Sequence, residues 1–287
     1  KLPQYKFYLK NIEKGDLFLK NNFNIDPENS KIACIFGRDS RYLKKIEPNK
    51  DFSYHSYRDV EIENLKKTSE HLANLGYTVF RMGQFVEKKI SFSSERIIDY
   101  GFDCHSDYMD VYLAKKAKFW IGCPSGAETI SFEIFKKPAF FYSWVPLADV
   151  NMFRKDILTI FKKFFSYELN RYLTTSEIFD LKLSFIWKQE LFDEKKVKVV
   201  ENSEDEIFDG LLEFIYLYDN EFKVEDKKNS IIFKNLLIEK IKNRILIKDK
   251  DYLNPHTIHG LNKRIQFEHK NGYIGNKFLD ENNFFLI

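Results

Sequence analysis

The sequence predicts an α/β fold, a doubly wound and mostly parallel sheet, and three observations carry that expectation. In Lys118–Pro146 an apolar run, Phe119–Ile121, enters a tight Gly-Cys-Pro-Ser-Gly turn at 122–126. An amphipathic stretch follows, and beyond Lys136-Lys137-Pro138 a second apolar run spans Ala139–Trp144. Strand, Gly-rich turn, helix, strand is the repeating unit of a parallel α/β sheet. Second, two earlier β-rich runs, Lys31–Phe36 and Tyr77–Arg81, have polar, glycine-bearing exits, Gly37-Arg38-Asp39 and Met82-Gly83. Third, helical spacing separates them, so strands alternate with helices through residue 144.

Residues 11–24 read as a weak helix broken by Asp26-Pro27-Glu28-Asn29. Tyr42–Tyr57, with Pro48 and many polar residues, has loop chemistry. Asp59–Leu75 carries Val60, Ile62, Leu65, Leu72 and Leu75 mostly at helical spacing and stops at Gly76, a helix-ending residue. Ile97–Gly101 reads as a short third strand, and Tyr108–Ala117 as the helix that feeds the strand at 119. After residue 144 the character changes. Met152–Tyr167 reads as helical, and Thr174-Thr175-Ser176-Glu177 has the form of a capping box. Lys196–Val200 reads as a last strand, and Asn202-Ser203 caps a helix over 204–221. A charged linker occupies 223–230, an amphipathic helix 231–247, and the tail to Ile287 reads as loop-rich. The expected organisation is a connecting segment 1–30, a main domain 31–222 and a C-terminal helix and tail 223–287.

Composition narrows the function classes. Hydrophobic residues at 44% and charged residues at 31% are those of an ordinary soluble globular chain, long enough at 287 residues for a full core. A net charge of +3 with interspersed signs argues against a general nucleic-acid binder. Cys34, Cys104 and Cys123 are odd in number and widely spaced, as reduced thiols of a cytoplasmic protein are. The longest apolar stretch, Pro138–Leu147, falls well short of a membrane span.

Candidate chemistry gathers where strands end, since ligands of such sheets bind there. Arg38 and Asp39 follow the first strand, and a guanidinium at that place can grip a phosphate; the plainer reading is a surface ion pair. Tyr57-Arg58-Asp59 supplies a second cation before a helix, with Asp59 as a cap. Arg81 and Gly83 close the second strand, Gly83 leaving room for backbone approach. Three arginines at neighbouring exits could together neutralise a diphosphate without a metal. Ser125 and Gly126 open the expected helix, whose free N–H groups suit a phosphate, while Glu128 could bond a sugar hydroxyl. The alternative for that turn is an ordinary Ser cap with an acidic first turn. Asp103, Asp107 and Asp110 precede a helix, where capping is the simpler explanation and a contact to a ligand hydroxyl the other.

Sharper motifs are absent: there is no G-x-x-x-x-G-K-[ST], G-x-G-x-x-G or H-E-x-x-H. The order G-x-x-S-G at 122–126 also differs from a nucleophile elbow. His256 and His259 lack nearby partners for zinc, and Asp249-Lys250-Asp251 sits in a basic tail.

The ordered segments GRDSRYL (37–43), YRDVEIENL (57–65), LGYTVFRMG (75–83), IIDYG (97–101) and SDYMDVYLAKKAKFWIGCPSG (106–126) resemble a family of bacterial glycosyltransferases associated with surface-polysaccharide clusters. KKPAFFYSWVP, VVENSEDEIFDGLLEF (199–214) and GYIGNKFLDENNFFL (272–286) extend that resemblance over nearly all of 31–287. The family is distantly similar to the donor half of GT-B enzymes such as the fucosyltransferases. The resemblance implies a Rossmann-like, GT-B C-terminal-type domain with a helical C-terminal extension. It implies a nucleotide-sugar donor, no cofactor and no metal, with Arg38, Ser125 and Gly126 on the donor phosphates. It further implies a glycan or lipid-linked acceptor and a cytoplasmic location, with peripheral association at the inner face of the membrane left open. GT-B enzymes carry an N-terminal acceptor domain, whereas only residues 1–30 precede the first strand here, so the expectation is a trimmed or a reduced form. Asp39 is the expected base within this chain. Two other functions stay open: a non-catalytic nucleotide- or glycan-binding module, and another group transferase such as a pyruvyl transferase.

Overall fold

Seven parallel strands form the centre of the molecule, and their order shows why the strand exits matter. The computed structural model describes residues 9–150, 153–186, 188–247 and 271–287. In chain order the first half holds α1 (Leu9–Phe23), β1 (Lys31–Phe36), α2 (Arg41–Ile46), α3 (Lys66–Asn74), β2 (Tyr77–Arg81), β3 (Ile97–Ile98), α4 (Tyr100–Asp103), α5 (Asp107–Lys116), β4 (Phe119–Gly122) and β5 (Ala139–Trp144). The second half holds β6 (Ile157–Phe161), β7 (Lys163–Ser166), β8 (Arg171–Tyr172), α6 (Thr175–Asp180), α7 (Gln189–Glu194), β9 (Val197–Val200), α8 (Glu204–Asp219), α9 (Lys228–Ile247), β10 (Tyr273–Ile274) and α10 (Asn276–Glu281).

The main sheet runs β3-β2-β1-β4-β5-β6-β10, and every pairing in it is parallel. Connections leave β1 toward β2 and β3, then return across the sheet to β4, β5 and β6. Right-handed crossovers in opposite directions place α3 and α5 on opposite faces. This is a Rossmann-like α/β fold. The direction reverses between β1 and β4, and the crevice lies outside the carboxyl ends of those two strands. Strands buried on both faces need near-continuous apolar sequence, and β2, β4, β5 and β6 are buried along their whole length. Among the described residues, no helix is long and apolar enough to cross a membrane.

Caps and staples fix the second half. Thr174 and Ser203 each head a full capping box, with Glu177 and Glu206 reaching back. The fully buried Asn202 accepts the Ser143 amide at 2.7 Å and donates to the Phe161 carbonyl at 3.0 Å, tying α8 to β5 and β6. Against these, several sequence expectations change. The helix expected over 152–167 is not found among the described residues: Ile157–Phe161 and Lys163–Ser166 are strands, because an apolar run buried on both faces mimics helical spacing. Val197–Val200 belongs to a separate antiparallel sheet, β8-β7-β9, and the tail instead supplies β10 beside β6. The expected loop at 42–57 holds α2 and a 3-10 turn, Ser53–Arg58. The expected helix over 59–75 is shortened to α3, preceded by a 3-10 turn, and the strand at 97–101 to its first two residues. The stretch after Ser125 is one π-helical turn, Thr129–Ile134, rather than a regular helix.

Candidate functional site

A cleft of about 540 Å³ opens at the carboxyl ends of β1 and β4. Arg38, Asp39, Arg58, Gly83, Ser125 and Gly126 all border it, so six of the eight residues singled out from sequence meet at one place. Phe36, Met82 and Trp120 form its apolar side.

Arg38 emerges past the end of β1 and is 8% exposed. Its backbone N–H donates to the Cys123 thiol at 3.1 Å, which joins the exits of β1 and β4. Its side-chain bonds both run from Nη1, to the His55 carbonyl at 3.3 Å and to the Asp59 carboxylate. The Nη2 edge is left for a further anion. Burial lowers the guanidinium and raises the Asp59 carboxyl, Arg38 opposing the latter; desolvation outweighs pairing on both sides. Arg58 Nη2 donates to the Pro124 carbonyl at 3.2 Å, which fastens the 53–58 turn to the Ser125 turn. Its buried Nε has no partner among the described residues, nor does Nδ1 of the neighbouring His55. Burial, with Arg58 and Arg38 nearby, pushes His55 down to about 4, so its imidazole is neutral at physiological pH.

The Pro-Ser-Gly turn has a carboxyl group of its own chain on its donors. Glu128 Oε2 accepts the Ser125 N–H and hydroxyl, both at 3.1 Å, and the Ala127 N–H donates to Ser125 Oγ at 3.0 Å. Gly126 faces open space, with no atom within 4 Å of the position a Cβ would take. Gly83 is required by its backbone: φ is +138° and an added Cβ would meet Val86 at 2.7 Å. Asp39 acts as a clamp, accepting the Arg41 N–H at 2.9 Å and the Glu87 N–H at 3.1 Å.

Arg81 is not in the cleft. It lies within β2, opposite Ile35 of β1, is 1% exposed and donates to Asp99 at 2.9 Å. Asp99 in turn accepts the Ile90 N–H at 2.8 Å, so the pair ties the 82–96 loop to the sheet. The arginine expected on phosphate is therefore structural, because it ends inside the sheet rather than beyond it. His256, His259 and Asp249-Lys250-Asp251 lie outside the described residues.

Three further groups stand near the crevice, two missed by the sequence reading and one, Asp110, read there as a helix cap. Lys162, buried directly after β6, donates to the carbonyls of Tyr57 at 3.0 Å and Asp59 at 2.6 Å, bracketing Arg58; burial pushes its ammonium down to about 8. A lysine ending an apolar run was its only signal, hidden by the helical reading. Asp110 borders the cleft from α5, held by Tyr100 Oη at 3.0 Å and His105 Nε2 at 2.9 Å. His55 is the third. Cys123 is no nucleophile, since burial pushes its thiol up to about 12.

Glu128 gives a first expected outcome. Burial pushes its carboxyl up to about 7 from an ordinary 4.5, against the pull of Ser125 and Arg58. Between those values the folded protein keeps a proton that the unfolded chain has lost. This group therefore stabilises the fold at low pH, and the benefit fades as pH rises through about 7. Glu128→Gln removes that dependence, about 3 kcal/mol across the window. Denaturant midpoints of the two proteins at several pH values measure it, and a variant that keeps the wild-type slope contradicts the assignment.

Comparison with protein-family profiles, with curated proteins and with solved structures found no match to this chain. Fold and site together define a Rossmann-like α/β protein with a crevice at its topological switch point that is bordered by two arginines and two aspartates.

Proposed function

We propose that this chain transfers a sugar from a nucleoside-diphosphate sugar to a hydroxyl of a glycan or lipid-linked acceptor, as the donor domain of a GT-B-like glycosyltransferase. The observation that carries this reading is the meeting of Arg38, Arg58 and the Ser125–Gly126 turn around one cleft at the β1/β4 crevice. Its volume, about 540 Å³, suits a small-molecule ligand, and its apolar side offers a surface for a base or sugar ring.

In this reading the acceptor oxygen attacks the anomeric carbon while the bond from that carbon to the diphosphate oxygen breaks. The nucleoside diphosphate departs with the bonding pair, and its charge falls on the guanidinium groups of Arg38 and Arg58. A carboxylate takes the acceptor proton. Asp39 is the base expected from sequence, yet both its oxygens serve backbone amides. We assign the proton to Asp110, which borders the cleft and is held by the Tyr100 hydroxyl and the His105 ring rather than by backbone amides.

A panel of nucleotide sugars screened by thermal shift tests the reading, since a ligand that binds only the folded state raises the melting temperature. One nucleoside-diphosphate sugar is expected to do so and to be turned over. Asp110→Asn should keep the shift and lose about 10²-fold or more in turnover, and Asp39→Asn should cost less. A panel without a stabilising ligand sinks the proposal. A shift with no turnover, even with acceptors added, favours the non-catalytic binding module.

A further inference from the structure

His55 borders the cleft together with Arg38 and Arg58. It belongs to the 3-10 turn Ser53–Arg58. Side chains three residues apart eclipse in such a turn, so the His55 ring and the Arg58 guanidinium stand on one side of it. The His55 carbonyl accepts from Arg38 Nη1 at 3.3 Å, which brings the other guanidinium to the same turn. The ring packs against Tyr54 with centroids 4.1 Å apart, and neither of its nitrogens has a hydrogen-bond partner among the described residues. The buried Arg58 Nε is likewise unpartnered. Buried polar atoms without partners are costly, and two of them on eclipsed side chains mark a place for the oxygens of one anion.

The turn lacks an acid to charge the imidazole. Asp51 precedes it and Asp59 ends it, with Tyr54 and Tyr57 on the turn itself. Arg38 and Asp39 face it from the β1 exit, Lys162 from the end of β6, Glu128 from the Ser125 turn, and Glu190 and Asp193 from α7. Asp59 is taken by Arg38, Asp39 by two backbone amides, Asp51 by Ser53 and Glu128 by Ser125. Burial, then Arg58 and Arg38, oppose a charge on the ring, and no carboxylate offsets them. The counter-charge that would make an imidazolium must therefore come from a ligand. A nucleoside-diphosphate sugar supplies it, since its diphosphate cancels both guanidinium charges and sets an anion beside the ring. We infer that His55 is the general acid of the sugar transfer, charged by the diphosphate of the donor itself. A proton enters the ring from solvent as the donor binds. When the bond from the anomeric carbon to the diphosphate oxygen breaks, that oxygen keeps the bonding pair and takes the imidazole proton. Asp110 takes the proton of the acceptor hydroxyl and returns it to solvent, and the ring is left neutral. The catalytic role rests on the sugar-transfer reading, whereas the coupling of diphosphate binding to protonation needs no turnover.

The probes are UDP-glucose, GDP-mannose and dTDP-glucose, which lack the terminal phosphate proton that titrates near neutral pH in a free diphosphate. The His55 ring resonance, assigned by its absence from His55→Gln or His55→Asn, is followed by NMR against pH. In the free protein its midpoint is expected at about 4. With a bound nucleotide sugar the midpoint should rise above about 6, the range of an ordinary histidine. Calorimetry in buffers of different ionisation enthalpy should register a proton taken up on binding near that pH. His55→Gln should still bind, take up no proton and lose about 10²-fold in turnover. The measurements on the wild-type ring and its proton uptake hold whether or not a variant folds. A ring that stays neutral in the complex overturns the inference, as does a folded variant that turns over as fast as the wild type. Both outcomes leave the sugar-transfer reading standing. A panel in which no nucleotide sugar binds removes that reading and the acid together.

Discussion

Replacing Arg38 with alanine should weaken the binding of a nucleoside diphosphate about 10²-fold. The guanidinium is largely desolvated, and hydrogen bonds between charged groups in such a place contribute about 1.5–3 kcal/mol. It is also fixed before any ligand arrives, with Nη1 held by the His55 carbonyl and the Asp59 carboxylate. Arg38→Lys should recover only part of the loss, since an ammonium restores the charge and not the planar fork. Titration calorimetry on both variants measures this, with melting curves to show that each is folded. Wild-type affinity in Arg38→Ala would take Arg38 out of the site.

The largest effect on stability is expected at a different arginine. Arg81→Met should cost about 3–5 kcal/mol, because it strands the Asp99 carboxylate in a place that is fully closed to water. Arg81→Met/Asp99→Asn should recover most of that loss, since it removes the second charge while the amide oxygen still accepts the Ile90 N–H. Because the pair ties the loop that supplies Met82, Gly83 and Val86 to the cleft, both variants should lose some nucleoside-diphosphate affinity, but far less than Arg38→Ala does. Denaturant unfolding and calorimetry on the same samples decide the matter. A large affinity loss in the double variant, with its fold intact, would return Arg81 to the ligand.

The contrast between these arginines shows what the sequence makes legible. Both follow apolar β-rich runs, and the run alone does not say where the strand stops relative to the cation. Arg38 stands two residues beyond β1, whereas Arg81 is the last residue of β2 and still pairs across to Ile35. Its partner Asp99 lies eighteen positions away, directly after β3, beyond the reach of local pattern. The alternation of strands and helices up to Trp144, and the crevice it implies, was readable because β1, β2 and β4 run into glycine and polar residues. The apolar run before Lys162 was not, since continuous burial on both faces removes the period that separates strand from helix. Two-residue strands such as β10 leave too little sequence to carry a signal. At the Ser125 turn the residue types were readable as an anion cradle, but the Glu128 carboxylate that already occupies its donors was read as a sugar contact. Only the folded geometry places Asp110 and His55 on the same crevice.

Co-crystallisation with a nucleoside diphosphate tests the central claim most directly. The account expects the phosphates at the β1/β4 crevice, within hydrogen-bonding reach of Arg38 Nη2 and the Arg58 guanidinium, and beside the Ser125–Gly126 turn. A diphosphate ordered elsewhere on the molecule, with the Arg38–Asp59 pair and the cleft unoccupied, would contradict it.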